Sequence, residues 1–183
     1  MKTKFKLLYK KFEGLIQPED YKLIPLTRGK FAKVDNEDFD KVRGFNWYYN
    51  KHGTGYATNS HLGPMHRYIT NTPKGMVVDH INHDTLDNRK SNLRICTQLQ
   101  NSANQRPYEN SSSKYKGVSW DSENNKWRAT IRWGGVSKCL GRYETEEEAG
   151  VAYDLEAIHR QGDFAYLNFP EKKEEYLRII NSK

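Results

Sequence analysis

Eight residues, Lys126-Trp127-Arg128-Ala129-Thr130-Ile131-Arg132-Trp133, alternate between polar and apolar side chains without a break. Successive side chains of a β-strand point to opposite faces. The run therefore puts Lys126, Arg128, Thr130 and Arg132 on one basic, exposed face and Trp127, Ala129, Ile131 and Trp133 on a packing face. Gly134-Gly135 reads as a hairpin turn into a second strand over Val136 to Tyr143. Thr145 and Glu148 then form a capping box that opens a helix. On one side of it Ala149, Ala152 and Tyr153 allow close docking on a sheet, and Gly162 is placed to end it.

A polar stretch from Pro107 to Lys114 has linker composition and divides this module, residues 115–170, from what precedes it. The mixed-charge tail, residues 171–183, reads as a terminal helix. Residues 1–60 read as a strand-rich lead-in. Apolar stretches at Leu23-Ile24-Pro25-Leu26 and Phe31-Ala32-Lys33-Val34 alternate with turn signals at Arg28-Gly29 and His52-Gly53-Thr54-Gly55. Short helices are expected near Glu37 to Val42 and Met65 to Ile69. No internal repeat is visible. A hydrophobic content of 36% and a mean hydropathy of -0.97 lean towards disorder. Aromatic residues at 13%, among them 4 Trp and 12 Tyr, argue instead for several small packed cores.

A formal charge of +7 and a pI near 9.3 favour a polyanionic partner. No apolar run is long enough to span a bilayer, and the basic start Met1-Lys2-Thr3-Lys4 leads into no apolar signal core. No membrane role and a cytoplasmic location are the expectations. Cys96 and Cys139 fall in different modules, which suits a reducing compartment. Neither a heptad nor an extended apolar dimer face is visible, so a monomer is expected.

The chemistry concentrates in residues 61–106. Met76 to Ile81 is a β-branched run that reads as a strand, and Asn92 to Cys96 reads as its partner across a polar loop. Thr97 is a good N-cap for a short helix through Arg106. In it Leu99 and Ala103 share a face and Asn101 projects nearly opposite. The imidazole of His80 titrates near neutrality and suits a general base. Arg89 and Arg94 can clamp phosphates. Adjacent strand residues diverge, so Asp79 and His80 serve one site only if the strand ends there. Taken singly, an Asp-His pair is usually a surface pair and Asp87-Asn88-Arg89 a turn. His83 reads as a side chain exposed to solvent or facing the polyanionic partner rather than as a metal ligand, and His66 as a packing residue. A zinc site from His80, His83 and Cys96 lacks paired-ligand spacing, and no EF-hand spacing is present.

In the order strand, loop, strand, helix, with His80, Asn92 and Asn101 at their spacing, this segment resembles the HNH nuclease family. The resemblance implies a ββα unit around one divalent metal. It makes His80 the general base, with Asn92 as the second catalytic-site residue, pinning the loop through side-chain hydrogen bonds. Asp79 and Asn101 become the ligands of one Mg²⁺ or Mn²⁺ ion. The last motif position, often histidine in the family, is Asn101 here, as in the branch resembling phage and intron homing nucleases, and this favours an oxygen-ligand metal.

The second module, with Tyr115-Lys116-Gly117-Val118, Leu140-Gly141, Glu147-Glu148-Ala149, Ala152-Tyr153-Asp154 and Leu167-Asn168-Phe169-Pro170, resembles the plant ethylene-response-factor type DNA-binding domain. That family inserts a three-stranded antiparallel sheet, backed by one helix, into the major groove. The matching contact positions are Lys116, Lys126 and Arg132, with Arg128 added on the same face. Ser119, Thr130, Ser137 and Cys139 depart from the family's arginine, glutamate, arginine and tryptophan, so its target sequence does not carry over.

The expectation is an α+β chain with three parts: a strand-rich N-terminal region, a ββα-metal unit, and a three-stranded antiparallel sheet packed on one helix. Its expected function is a metal-dependent HNH endonuclease of homing type that nicks double-stranded DNA. Deletion of residues 111–183 is expected to weaken duplex binding and spare catalysis. The alternatives are a DNA-binding regulator with a decayed HNH unit and an RNA-binding or RNA-processing protein.

Overall fold

The computed structural model describes residues 20–51, 55–108 and 111–182. The turn signal at 52–54 and part of the 107–114 stretch lie outside them. The chain forms two compact units, residues 1–97 and 98–183. Both mix helix with antiparallel sheet, as an α+β chain does.

The first unit opens on a hairpin of β1 (Lys22–Pro25) and β2 (Phe31–Val34), with Lys22 opposite Val34 and Pro25 opposite Phe31. Arg28 and Gly29 close it at φ 60 and 65. Ile24, Ala32 and Val34 alternate inward as period-2 patterning requires. Helix α1 (Asn36–Val42) follows; its Val42 is buried, and the Val42 carbonyl accepts the indole N–H of buried Trp47 at 3.0 Å. A second sheet joins β3 (Tyr48–Asn50), β4 (Tyr56–Asn59) and β5 (Gly63–Pro64). It leads into α2 (Met65–Thr70), then β6 (Val77–His80) pairs antiparallel with β7 (Leu93–Cys96). One core runs from Ile24 and Val34 through Trp47, Met65 and Ile69 to Val78 and Leu93. The strand-rich lead-in and the β6–β7 hairpin therefore bury their apolar faces together.

The loop between β6 and β7 is bonded to the first hairpin. Lys33 N donates to Leu86 O at 2.8 Å and Asn88 N to Lys33 O at 2.8 Å. Lys90 N donates to the Asp35 carboxylate at 2.7 Å, while its ammonium pairs with Glu37 at 2.6 Å and Asp38 at 3.1 Å.

The second unit begins with α3 (Gln98–Ala103). The helix is shorter than the expected run to Arg106: Gln105 N already turns back to Ser102 O, and the Ser102 hydroxyl bonds to Gln98 O. Its expected apolar face is also halved, because Ala103 is buried while Leu99 stays 41% exposed. Six residues present too short a stripe to bury both ends. A sheet of order β10-β9-β8 follows, built from β8 (Val118–Asp121), β9 (Lys126–Trp133) and β10 (Val136–Tyr143). Gly134 and Gly135, at φ 60 and 83, form the two-residue turn that matches strand twist. Ala129 and Ile131 face inward, Arg128 and Arg132 outward. Helix α4 (Glu146–Gln161) opens on the complete Thr145–Glu148 capping box and ends at Gly162, φ 54. Its Ala149, Tyr153 and Ala157 pack on the sheet. Gly117, at φ 75, lets the strand pass Tyr153, whose ring atom would lie 2.1 Å from a Cβ there. The terminal helix α5 (Lys173–Asn181) buries Tyr176.

Candidate active site and nucleic-acid interface

Strand β6 ends at His80. His83 N turns back to His80 O at 3.0 Å and Ile81 N donates to Asn92 O at 3.0 Å, with His83 at φ 64. The termination that the Asp79-His80 pair requires is thus present, and both side chains are buried, 5% and 6% exposed. Asn92 joins the two ends of the loop: its Oδ1 accepts Asn82 N at 2.9 Å and its Nδ2 donates to Asp87 O at 2.8 Å. The Asn82 side chain bonds both Asp84 N and the Asp87 carboxylate. The polar run Asn82 to Asn92 folds here because its side chains supply the partners that a loop backbone lacks.

Burial lowers the basicity of the His80 imidazole, while the Asn88 side chain and the carboxylates of Asp79, Asp84 and Asp87 oppose that shift. The His80 ring sits in an aromatic cluster. His66 meets it edge-on, with centroids 5.0 Å apart and planes at 90°, and Tyr56 lies 5.1 Å from His66 and 5.9 Å from His80. His66 is a packing residue, as its place beside Met65 and Ile69 on a short helix suggests, but the group it packs on is His80. Nothing in the spacing of the chain announces this, nor the proximity of Tyr56. Burial pushes the His66 pKa down to about 3, with the neighbouring His80 and Arg67 acting in the same direction. Its Nδ1 is buried without a hydrogen-bond partner.

Both arginines expected on phosphates are engaged by carboxylates. Arg94 stands opposite Asp79 across the β6–β7 ladder. Its Nε and Nη2 reach the same Asp79 oxygen at 2.7 and 2.6 Å. Arg89 grips Asp87 with Nε at 2.8 Å and Nη2 at 2.7 Å and lies 5.2 Å from the Tyr21 ring centroid. His80, Asp79, Asn92, Arg89 and Arg94 all belong to the first unit. Asn101 sits half-buried on α3, in the second.

On the sheet of the second unit, Arg128 and Arg132 are exposed and Lys126 pairs with Glu144 at 2.7 Å. Lys116 lies apart from them: its ammonium donates to Ala103 O, at the end of α3, at 2.6 Å. Among the described residues, three His, Cys, Asp or Glu ligand atoms gather only at Asp35, Glu37 and Asp38. There the Lys90 ammonium already supplies the counter-charge. His80, His83 and Cys96 do not form such a group. No helix among the described residues is long and apolar enough to cross a membrane.

A family model described as HNH endonuclease matches residues 71–103. An uncharacterized HNH endonuclease of Acanthamoeba polyphaga mimivirus is 36% identical over 156 residues, 81% of this chain and 80% of that protein. Protein 3.8 of Escherichia phage T7 is 37% identical over 59 residues, 32% of this chain and 49% of the phage protein. An AP2-like ethylene-responsive transcription factor of Arabidopsis thaliana is 41% identical over 69 residues, 37% of this chain and 19% of the plant protein. No solved structure matches. The likeness to the mimivirus protein extends well beyond the 71–103 motif, and on that breadth the chain belongs to the HNH endonuclease family.

Proposed function

We propose that the chain is a metal-dependent endonuclease that hydrolyses phosphodiester bonds in double-stranded DNA, a homing-type enzyme that acts as a monomer and nicks one strand. The observation that carries the reading is His80: a buried imidazole, its basicity lowered by burial, beside a carboxylate, at a strand end closed by Asn92.

The neutral imidazole takes a proton from the attacking water. Asp79, Asp84 and Asp87, which oppose the burial effect on His80, also stabilise the imidazolium that results. Asn92 holds the loop so that this charge arrives in a fixed setting. Asp79 and Asn101 would hold the metal, and their oxygen donors suit a hard dication such as Mg²⁺ or Mn²⁺; when bound, it would supply electrostatic stabilisation for charge developing in phosphodiester hydrolysis. Arg94 fixes the Asp79 carboxylate, and Arg89 and Arg94 serve neighbouring phosphates. The second unit is an ethylene-response-factor type DNA reader, in which Arg128 and Arg132 face the duplex with Lys126 at the edge of the same face.

The test is a supercoiled plasmid carrying the target, with limiting protein and Mg²⁺. Open-circular DNA should accumulate well before linear DNA, and His80→Ala should abolish both while duplex affinity stays nearly unchanged. Equal turnover by His80→Ala removes His80 as the base. Linear product without a nicked precursor points to a symmetric dimer.

A further inference from the structure

Helix α3 has six residues, Gln98–Ala103. Helices this short do not persist by their own hydrogen bonds, and their last carbonyls need outside donors. Two converge on Ala103 O, both from residues 115–170: the main-chain N–H of Tyr166 at 3.2 Å and the Lys116 ammonium at 2.6 Å. A cation at this end also complements the helix dipole.

Lys116 is itself held in place. Asn168 Oδ1 accepts its N–H at 2.7 Å and Asn168 Nδ2 donates to its carbonyl at 3.2 Å. The buried Asp154 carboxylate on α4 in turn accepts the N–H groups of Asn168 and Phe169, each at 2.8 Å. An unbroken line of bonds thus runs from α4 through Asn168 and Lys116 to the end of α3. The ammonium lies 5.5 Å from the Tyr166 ring centroid, and burial lowers its pKa to about 8, as expected of a cation enclosed by protein.

We propose that Lys116 is a positioning residue for the metal site: together with Tyr166 N–H it clamps the last turn of α3 and so fixes Asn101, two residues before the clamped carbonyl. This rests on the reading of Asn101 as a metal ligand. The sheet module is then part of the nuclease as well as its DNA reader, and deletion of residues 111–183 costs metal binding as well as duplex affinity. While the ammonium serves Ala103 O, it contributes no phosphate contact.

The experiment compares full-length wild type, Lys116→Met, Lys116→Arg and Asn101→Ala. Mn²⁺ binding is followed by the loss of the free-ion paramagnetic resonance signal, Mg²⁺ dependence by nicking, and duplex binding across a salt series. Lys116→Met should weaken Mn²⁺ binding and raise the Mg²⁺ requirement, each about tenfold, with the salt slope unchanged. Lys116→Arg, which keeps a cationic donor, should recover most of the loss. Wild-type metal curves for Lys116→Met overturn the inference, as does a log-log salt slope reduced by about 0.9, the mark of a lost phosphate contact. Asn101→Ala separates the two readings. If it binds Mn²⁺ like wild type, the ligand assignment itself fails; if it weakens binding and Lys116→Met does not, only the clamp fails. Should Lys116→Met not fold, Asn168→Ala, which frees the Lys116 main chain and leaves the ammonium, is read by the same two outcomes.

Discussion

His66 offers a measurement in which the electrostatics of the aromatic cluster can be read directly. The side chain is 8% exposed, and its pKa falls from an ordinary 6.5 to about 3, chiefly through burial. The unfolded chain therefore binds a proton below pH 6.5 that the folded chain refuses until about pH 3. Stability from this group is fully present above pH 6.5 and is lost as pH falls, at about 1.4 kcal/mol per pH unit. Between pH 7 and pH 5 the loss comes to about 2 kcal/mol. His80 is shifted in the same direction and adds to it in wild type. His66→Phe keeps the ring against Tyr56 and His80 but removes the titration and the unpartnered Nδ1. Its acid loss should be smaller than that of wild type by about 2 kcal/mol, and at pH 7 it should be no less stable. Hydrogen exchange of the β1 and β2 amides at both pH values reports the first unit alone. Equal acid losses in the two proteins would refute the claim that His66 is buried in its neutral form.

Asp79→Ala leaves the Arg94 guanidinium, 17% exposed, without its carboxylate and should destabilise the first unit by about 3 kcal/mol in urea unfolding; adding Arg94→Met should recover stability without activity. Asn92→Ala removes both bonds across the loop and should cost about 1 to 3 kcal/mol together with most of the nicking rate. Gly117→Ala drives a Cβ against Tyr153 at positive φ and should destabilise the second unit by about 3 kcal/mol, seen as loss of its amide protection. Arg132→Ala should lose about 1 to 3 kcal/mol of discrimination at one base pair; equal weakening on every sequence instead marks a phosphate contact.

What the sequence discloses is what local pattern determines. The β9–β10 hairpin follows from strict alternation and Gly134-Gly135, α4 from its capping box, and the β6–β7 pair from a β-branched run and a second short apolar stretch around a polar loop. The short helices near residues 37–42 and 65–69 are likewise legible. What stays hidden depends on register and tertiary packing. Arg94 meets Asp79 only because the ladder sets them opposite each other, a pairing invisible until the loop length is resolved into a turn. His66 meets His80 through packing of α2, and Lys116 reaches Ala103 O across 13 residues of chain. The apolar period in α3 misleads at Leu99 because so short a helix has no second turn with which to bury it. Helix propensity alone does not give the stop at Ala103.

The bonds between β2 and the β6–β7 loop bear on how such nucleases can be exchanged between chains. Lys33, Asp35 and Glu37 reach partners 51, 55 and 53 residues further on, and the family motif at 71–103 contains only the distant halves of these pairs. Recombination that moved the motif alone would also leave Leu86 O and the N–H of buried Asn88 without their Lys33 main-chain partners, and a buried polar group left that way is costly. The smallest portable cassette must therefore reach back to β2. Break points between chains should accumulate ahead of the first hairpin rather than at the motif's own edge, and catalytic grafts that ignore this should fold poorly even when every motif residue is retained.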